Sequence, residues 1–374
     1  MRFPGALYNL DYFLLLVLLG IQLFGLAAVY SATYAGGPSA LFYKQLVYAA
    51  LSWVVILLLS REKFENLLDL SLYLYLFNLF LLMLVLLYGK EVYGAKRWLG
   101  LGFVNLQPSE FMKFSLVLVT AHVLPAVKGI KDRNAFLLFL LYAMPAALTL
   151  KQPDLGTTVA YFVPLTFMLL ARGVRLRYFI LAALLAAALS PLVWSYGLKE
   201  YQKKRILAVL DPYSDYYGSG YQLIQSKIAV GSGGLWGKGF LEGTQTHLMF
   251  LPEKHTDFIF AVIAEELGFI GSFSLSVLFF LFALRLVFYY RKFRRLSEKV
   301  LVAGVLGLVL FQFTVNTLMT MGLFPVVGIP LPFVSLGGSS MLSFALLVGT
   351  LQSVYGRYKD PYLRMEGEPR YREV

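Results

Sequence analysis

The sequence predicts an all-α polytopic membrane protein with about ten transmembrane helices, both termini in the cytoplasm and one long extracytoplasmic loop. Three observations predict it. Of 374 residues, 59% are hydrophobic and only 14% charged. Soluble domains carry roughly 25% charged residues, so no conventional wet surface can be built from this composition. Apolar runs of about 17 to 25 residues, each enough to cross roughly 30 Å of hydrocarbon, recur from end to end. They leave no room for a separate soluble domain, so residues 1–374 read as a single membrane domain. The third observation is a charge bias between alternate loops.

Ten segments, centred near residues 22, 50, 78, 117, 142, 162, 186, 279, 310 and 347, read as spans. Each is taken as helix because lipid satisfies no open backbone. The first run, from about Asp11 to Ser31, is longer than a signal-peptide core and has only Arg2 before it, so it reads as a retained span. Between the short fifth and sixth segments lies "LTLKQPDLGTT". There Pro153 lacks an amide hydrogen and Gly156 loosens the backbone, which predicts a turn at the membrane surface. The loops "REKFEN", "KGIKDRN", "ARGVRLR" and "RKFRRLSEK", the tail 357–374 and Arg2 hold 19 Lys and Arg, against 5 in the short loops opposite. The positive-inside rule then puts both ends in the cytoplasm and the long loop, 199–256, outside. A net charge of +12 would suggest nucleic acid in a soluble protein; here it meets anionic headgroups. Cysteine is absent, which removes disulfides, a redox dithiol and thiolate metal ligands.

Charge inside so apolar a sequence singles out candidates, because an ionised side chain at mid-bilayer costs about 2.5 to 3.5 kcal/mol on insertion scales. In "NLQPSEFMKFSLVLV", Pro108 suits a first helical turn, and Glu110 and Lys113, three apart, share a face. They can form an interfacial pair with Lys113 snorkelling outward, or line a cavity. In "KQPDLGT", Lys151 and Asp154 stand at a helix end, where Asp154 either caps the sixth span or, with Lys151, joins Glu110 and Lys113 around one water-filled, outward-opening cavity. In "PEKHTDFIFAVIAEELG", Thr256 or Asp257 suits an N-cap, and helical spacing carries one stripe from Asp257 through Ala261 to Glu265. One helix over 257–290 would be about 51 Å long, too long for a single crossing. His255 reads as a hydrogen-bonding surface residue, since His122 and His247 stand at no ligand spacing. "VGSGGLWGKGF" fails the phosphate-loop spacing, with Gly239 where Ser or Thr should follow Lys238. Lys238 remains either an anion contact or part of a flexible turn.

Read together, "LGFVNLQPSEFMKF", "KQPDLGT", the stretch from Leu210 to Gly271 and "GLFPVVGIPLPFVSLGGSS" resemble the signatures of the SEDS family (shape, elongation, division and sporulation). "TQTHLMFLPEKHTDF" and "GIPLPF" are more similar to its rod-shape (RodA) branch than to its division (FtsW) branch. The resemblance implies a peptidoglycan glycosyltransferase of cell elongation, polymerising lipid II into β-1,4-linked glycan at the outer membrane face. It implies Asp257 as general base. Lys113 with Glu110, Asp154, Arg97, Lys96, Lys151 and Lys238 are then candidates for binding substrate and its pyrophosphate. No cofactor is required by the sequence. A divalent cation, Mg²⁺ or Mn²⁺, bridging phosphate oxygens and a carboxylate is the one candidate, and no all-protein cage for it is present. The implied partner is a class B penicillin-binding transpeptidase. A lipid flippase and a membrane scaffold are the rival classes. Clustering of charge at the outer end favours polymerisation, since a flippase needs polar residues continuing to the inner leaflet.

Overall fold

The computed structural model describes residues 9–92, 95–101, 104–129, 132–215 and 218–359. Arg2 and residues 360–374 of the expected tail lie outside the described residues. All ten expected spans are helices: α1 (Tyr12–Ala32), α2 (Ala40–Leu59), α3 (Phe64–Tyr88), α4 (Pro108–Val123), α5 (Arg133–Lys151), α6 (Leu155–Ala171), α7 (Leu176–Leu192), α11 (Ile259–Lys292), α12 (Leu296–Thr320) and α13 (Gly338–Lys359). Seven of them are long and apolar enough to cross a membrane, by length and composition; α6 is apolar but shorter. Short polar side chains start several helices by accepting orphan amides. Asp11 caps α1, Ser39 caps α2 and Asp132 caps α5.

The bundle is organised around α12, which packs against α4, α6, α11 and the helix Ser219–Ser232 and is buried along most of its length. At the other extreme, no residue of α7 is buried. Below the site, α1, α11 and α13 are tied through Asp11. Its Oδ2 accepts from Arg285 Nε at 2.5 Å and from the Tyr289 hydroxyl, while its backbone amide donates to Gln352 Oε1 at 2.9 Å.

Two features were not expected. A three-stranded antiparallel sheet, β1 (Lys90–Val92), β2 (Ala95–Leu101) and β3 (Val104–Leu106), links α3 to α4. The segment expected as a long loop also carries its own helices, α8 (Glu200–Leu210), α9 (Ser219–Ser232) and α10 (Thr244–His247).

The helical stretch from residue 257, expected to be too long for a single crossing, starts at Ile259 and breaks at Gly268, whose φ is 64°. A left-handed break in mid-helix strands backbone groups, and the loop takes them up. Lys238 N donates to Glu265 O at 3.0 Å and Gly239 N to Glu266 O at 3.1 Å. Phe269 N and Ile270 N in turn donate to Gly234 O and Leu235 O at 2.8 and 3.2 Å. The loop backbone comes so close that a Cβ on Gly268 would lie 2.3 Å from Gly237 N, so only glycine fits.

Candidate active site

Asp257 lies in the turns just before α11. The sequence expects it, or Thr256, to cap that helix. The helix starts later, at Ile259, and no side chain caps it. Thr256 Oγ1 donates back to Glu253 O and Oε2, at 3.2 and 3.0 Å. The Asp257 carboxylate therefore caps nothing, and it accepts no hydrogen bond among the described residues.

What is held is the backbone. Three consecutive carbonyls, 255 to 257, each take a donor from a later segment of the sequence. Leu336 N donates to His255 O at 2.9 Å, Ser335 Oγ to Thr256 O at 2.6 Å and Asn316 Nδ2 to Asp257 O at 2.8 Å. Gly328, with φ of 70°, turns the facing loop beneath the carboxylate, where a Cβ would come within 3.3 Å of Asp257 Oδ2. A half-buried carboxylate fixed by its main chain alone keeps both oxygens free for a reacting group.

The charges around it set its acidity. Burial, then Glu253, push the Asp257 carboxyl up, Arg205 and Arg97 pull it back and Asp154 adds a further rise, leaving it at about 6. Arg205 stands on α8, where its Nη1 donates to Val326 O at 3.1 Å. Arg97 stands on β2 and donates to the Gln152 and Pro153 carbonyls, with its Nε 3.8 Å from Asp154 Oδ2. Asp154 caps α6, accepting from Thr157 N at 3.1 Å and Thr157 Oγ1 at 2.9 Å. Capping and membership of the cluster thus coincide in Asp154. Burial keeps His255 below its ordinary value, so the ring is neutral at pH 7.

Glu110 and Lys113 form the second group. Both are 2% exposed, and Lys113 Nζ lies 2.6 Å from Glu110 Oε2. Lys113 therefore does not snorkel outward, and neither does the pair line an open cavity. Ser343 of α13 donates to Glu110 O at 2.7 Å. Gln312 of α12, with its amide turned to satisfy both ends, accepts from Lys113 Nζ at 2.5 Å. Gln312 and Asn316 are four apart on one helix, so the points at which α12 holds the Lys113 ammonium and the 257 carbonyl lie about one turn, roughly 5 to 6 Å, apart. The elements that bring these charges together lie far apart in the sequence.

Three expected residues fall elsewhere. Lys96 and Lys151 are exposed and make no hydrogen bond or ion pair to the cluster. Lys238 is taken up by structure: its Nζ bonds Glu265 Oε1 and Thr244 Oγ1, each at 2.7 Å. Glu265, expected on a shared stripe with Asp257, is fully buried against the loop. It accepts from Gln245 N at 2.8 Å and from Thr246 N and Oγ1 at 3.1 and 2.8 Å. Glu266 accepts from Ser31 Oγ at 2.5 Å, and His247 Nε2 stands 3.2 Å from it. The two acids fasten the loop to α1 and α11 and take no part in the Asp257 group. Arg205, Asn316 and Gln312 were missed by sequence reading. Among the described residues no group of three or more His, Asp or Glu is placed to hold a metal ion.

Comparison with known proteins follows the same outline. The family model for cell cycle proteins of the FtsW, RodA and SpoVE type matches residues 8–359. The peptidoglycan glycosyltransferase MrdB of Escherichia coli K12 is 37% identical over 357 residues, covering 94% of this chain and 95% of its own. The peptidoglycan glycosyltransferase RodA of Treponema pallidum is 32% identical over 440 residues, covering 96% and 100%. Among solved structures, a chain of a peptidoglycan synthase complex that coordinates polymerization and crosslinking superposes with a TM-score of 0.80 at 33% identity, over 94% of this chain and 99% of that one. The rod shape determining protein RodA of Thermus thermophilus gives 0.69 at 29% identity, over 94% and 98%. With one family model spanning nearly its whole length and relatives matched almost end to end, the chain belongs to the SEDS family and is a multi-pass protein of the cytoplasmic membrane.

Proposed function

We infer that the protein is a peptidoglycan glycosyltransferase of the rod-shape branch, polymerising lipid II at the outer face of the membrane during elongation. The observation that carries this is the Asp257 carboxylate: unpartnered, near pH 6 in acidity and flanked by Arg205 and Arg97. The names of the relatives point the same way.

The chemistry is one inverting displacement. Asp257 takes the proton of the acceptor sugar's 4-hydroxyl, and the oxygen forms a bond to the donor's anomeric carbon. The bond from that carbon to the pyrophosphate breaks, and its electron pair leaves with the polyprenyl pyrophosphate. A positioned base of this kind contributes about 10² to 10⁴ in rate. Arg205 and Arg97 supply fixed positive charge where negative charge gathers on the leaving group. Lys113, buried and held by Gln312 of α12, adds through its field a third cation whose charge Glu110 tempers. Lys96 and Lys151, exposed at the rim, suit first capture of the anionic headgroup more than the chemical step.

Around the reacting position stand two guanidiniums, Arg205 and Arg97, and three carboxylates, Asp257, Glu253 and Asp154. The guanidiniums suit a phosphate anion, and among the described residues no group of three acids or histidines is placed to hold a bare cation. Asp257 would hold a Mg²⁺ or Mn²⁺ ion, which would supply positive charge to the departing pyrophosphate. The protein partner is a class B penicillin-binding transpeptidase, a reading supported by the synthase complex that this fold resembles. With the termini in the cytoplasm, residues 199–256 face that partner outside.

The test is polymerisation of labelled lipid II by the purified protein with its transpeptidase partner, resolved on a gel. Asp257→Ala should lower the rate by about 10² or more. A variant polymerising as fast as the parent would remove Asp257 as base.

A further inference from the structure

We propose that Gln312 and Asn316, one turn apart on α12, are positioning residues that fix where the buried Lys113 ammonium and the general base stand relative to each other. This rests on the roles given above to Lys113 and Asp257. Asn316 is fully buried, and its Nδ2 donates to two carbonyls, Asp257 O and Ile329 O, each at 2.8 Å. Among the described residues its Oδ1 is buried without a hydrogen-bond partner. An unmade bond at a buried acceptor costs stability that an apolar side chain of the same shape would not incur. Packing therefore does not account for an asparagine here, whereas its two donations do.

Gln312, equally buried, donates to Pro330 O at 3.2 Å and accepts from Lys113 Nζ at 2.5 Å. Two consecutive carbonyls, 329 and 330, are thus gripped by two amides from one helical face. One of those amides also holds the base through its main chain, and the other holds the lysine through its ammonium. Neither contact neutralises the charged group it fixes: Asp257 keeps both carboxylate oxygens, and Lys113 gains a neutral acceptor.

The two residues should fail in different ways. Losing Asn316 lets the 255–257 turn drift from the acceptor hydroxyl. A misplacement of about 1 Å in a reacting group lowers turnover by about 10²-fold. Losing Gln312 leaves the base in place and loosens a buried cation whose field acts on the bound pyrophosphate in ground and transition state alike, which raises KM.

The experiment is lipid II polymerisation by the full-length protein with its transpeptidase partner, followed against lipid II concentration and pH. Asn316→Leu should lower kcat by at least about tenfold with KM within about twofold, and Gln312→Leu should raise KM about tenfold with kcat within about threefold. The Asn316→Leu profile should also shift its acid limb to lower pH. The freed carboxylate escapes the burial that raises it and stays exposed to Glu253 of its own turn, Arg205 of α8, Arg97 of β2 and Asp154 of α6. A purely architectural asparagine would lower activity with the limb unmoved. The proposal is overturned if the limb stays put, if Asn316→Leu acts on KM alone, or if Gln312→Leu leaves KM at the parental value. Should Asn316→Leu not yield a monodisperse protein, Asn316→Ser and the Gln312 variant decide it by the same criteria. Asp257→Asn is run alongside: full activity there removes the base assignment itself, whatever the α12 variants do.

Discussion

Asp257 is held in a state that costs the fold something. Its carboxyl titrates at about 6, above the ordinary value near 3.9, so the native state binds this proton more tightly than the unfolded protein does. Stability therefore falls as pH rises from about 4 to 6, and the penalty persists above it. Asp257→Asn should accordingly melt at a higher temperature than the parent at pH 7.5, with the two curves merging below about pH 4. Polymerisation runs the opposite way: a base must be ionised, so kcat/KM should drop about tenfold per pH unit below 6 and level off above it. Glu110 and Lys113 call for a different comparison. Replacing one partner leaves the other charged and buried, which costs about 3 to 5 kcal/mol, whereas replacing both with apolar residues of similar volume is often neutral. Lys113→Met alone should thus destabilise strongly in a chemical denaturation experiment, and adding Glu110→Met should recover most of the loss, with activity lost in both. These four residues, Asp257, Glu110, Lys113 and Asp154, were legible in the sequence because each is a charge in an apolar setting. Arg205 was hidden in a basic run, and Asn316 and Gln312 carry no charge, so nothing in composition sets them apart from a span's tolerated polar residues.

At the level of elements, the positions of the ten spans could be read from apolar length, because a lipid environment leaves the backbone one local solution. The failures are at places where a contact distant in sequence overrides a local pattern. The strands over 90–106 are three to seven residues long and carry too few alternating positions to announce a sheet. The break in α11 is another such case, since an isolated glycine in a helical pattern is commonly tolerated. Only the backbone of residues 235–237 lying against it explains Gly268. Gly268→Ala places a methyl group where Gly237 N already stands and an alanine at positive φ, a cost of about 1 to 3 kcal/mol. The expected outcome is faster proteolytic cleavage within residues 234–247, with the parent resistant under the same conditions. Unchanged cleavage would mean that the loop is held independently of the break.

For the whole molecule, the placement of both ends in the cytoplasm and of residues 199–256 outside is open to direct measurement. A protein without cysteine accepts single reporters against a silent background. Glu200→Cys, on an 81% exposed side chain, should react with a membrane-impermeant maleimide added to intact cells, and Lys359→Cys should react only after the membrane is opened. The reverse pattern would invert the topology and move Asp257 to the wrong face for an outer-leaflet substrate. A second consequence follows from how the loop and α11 are joined at Gly268. A fractured rod in hydrocarbon would normally leave bare amide and carbonyl ends, each costing several kcal/mol, yet here residues 234 to 239 bind the fracture as a splint binds a limb. Splint and limb are therefore one inherited part: a descendant sequence that shortened the first would have to straighten the second, and the carboxylate at its tip would then point somewhere new.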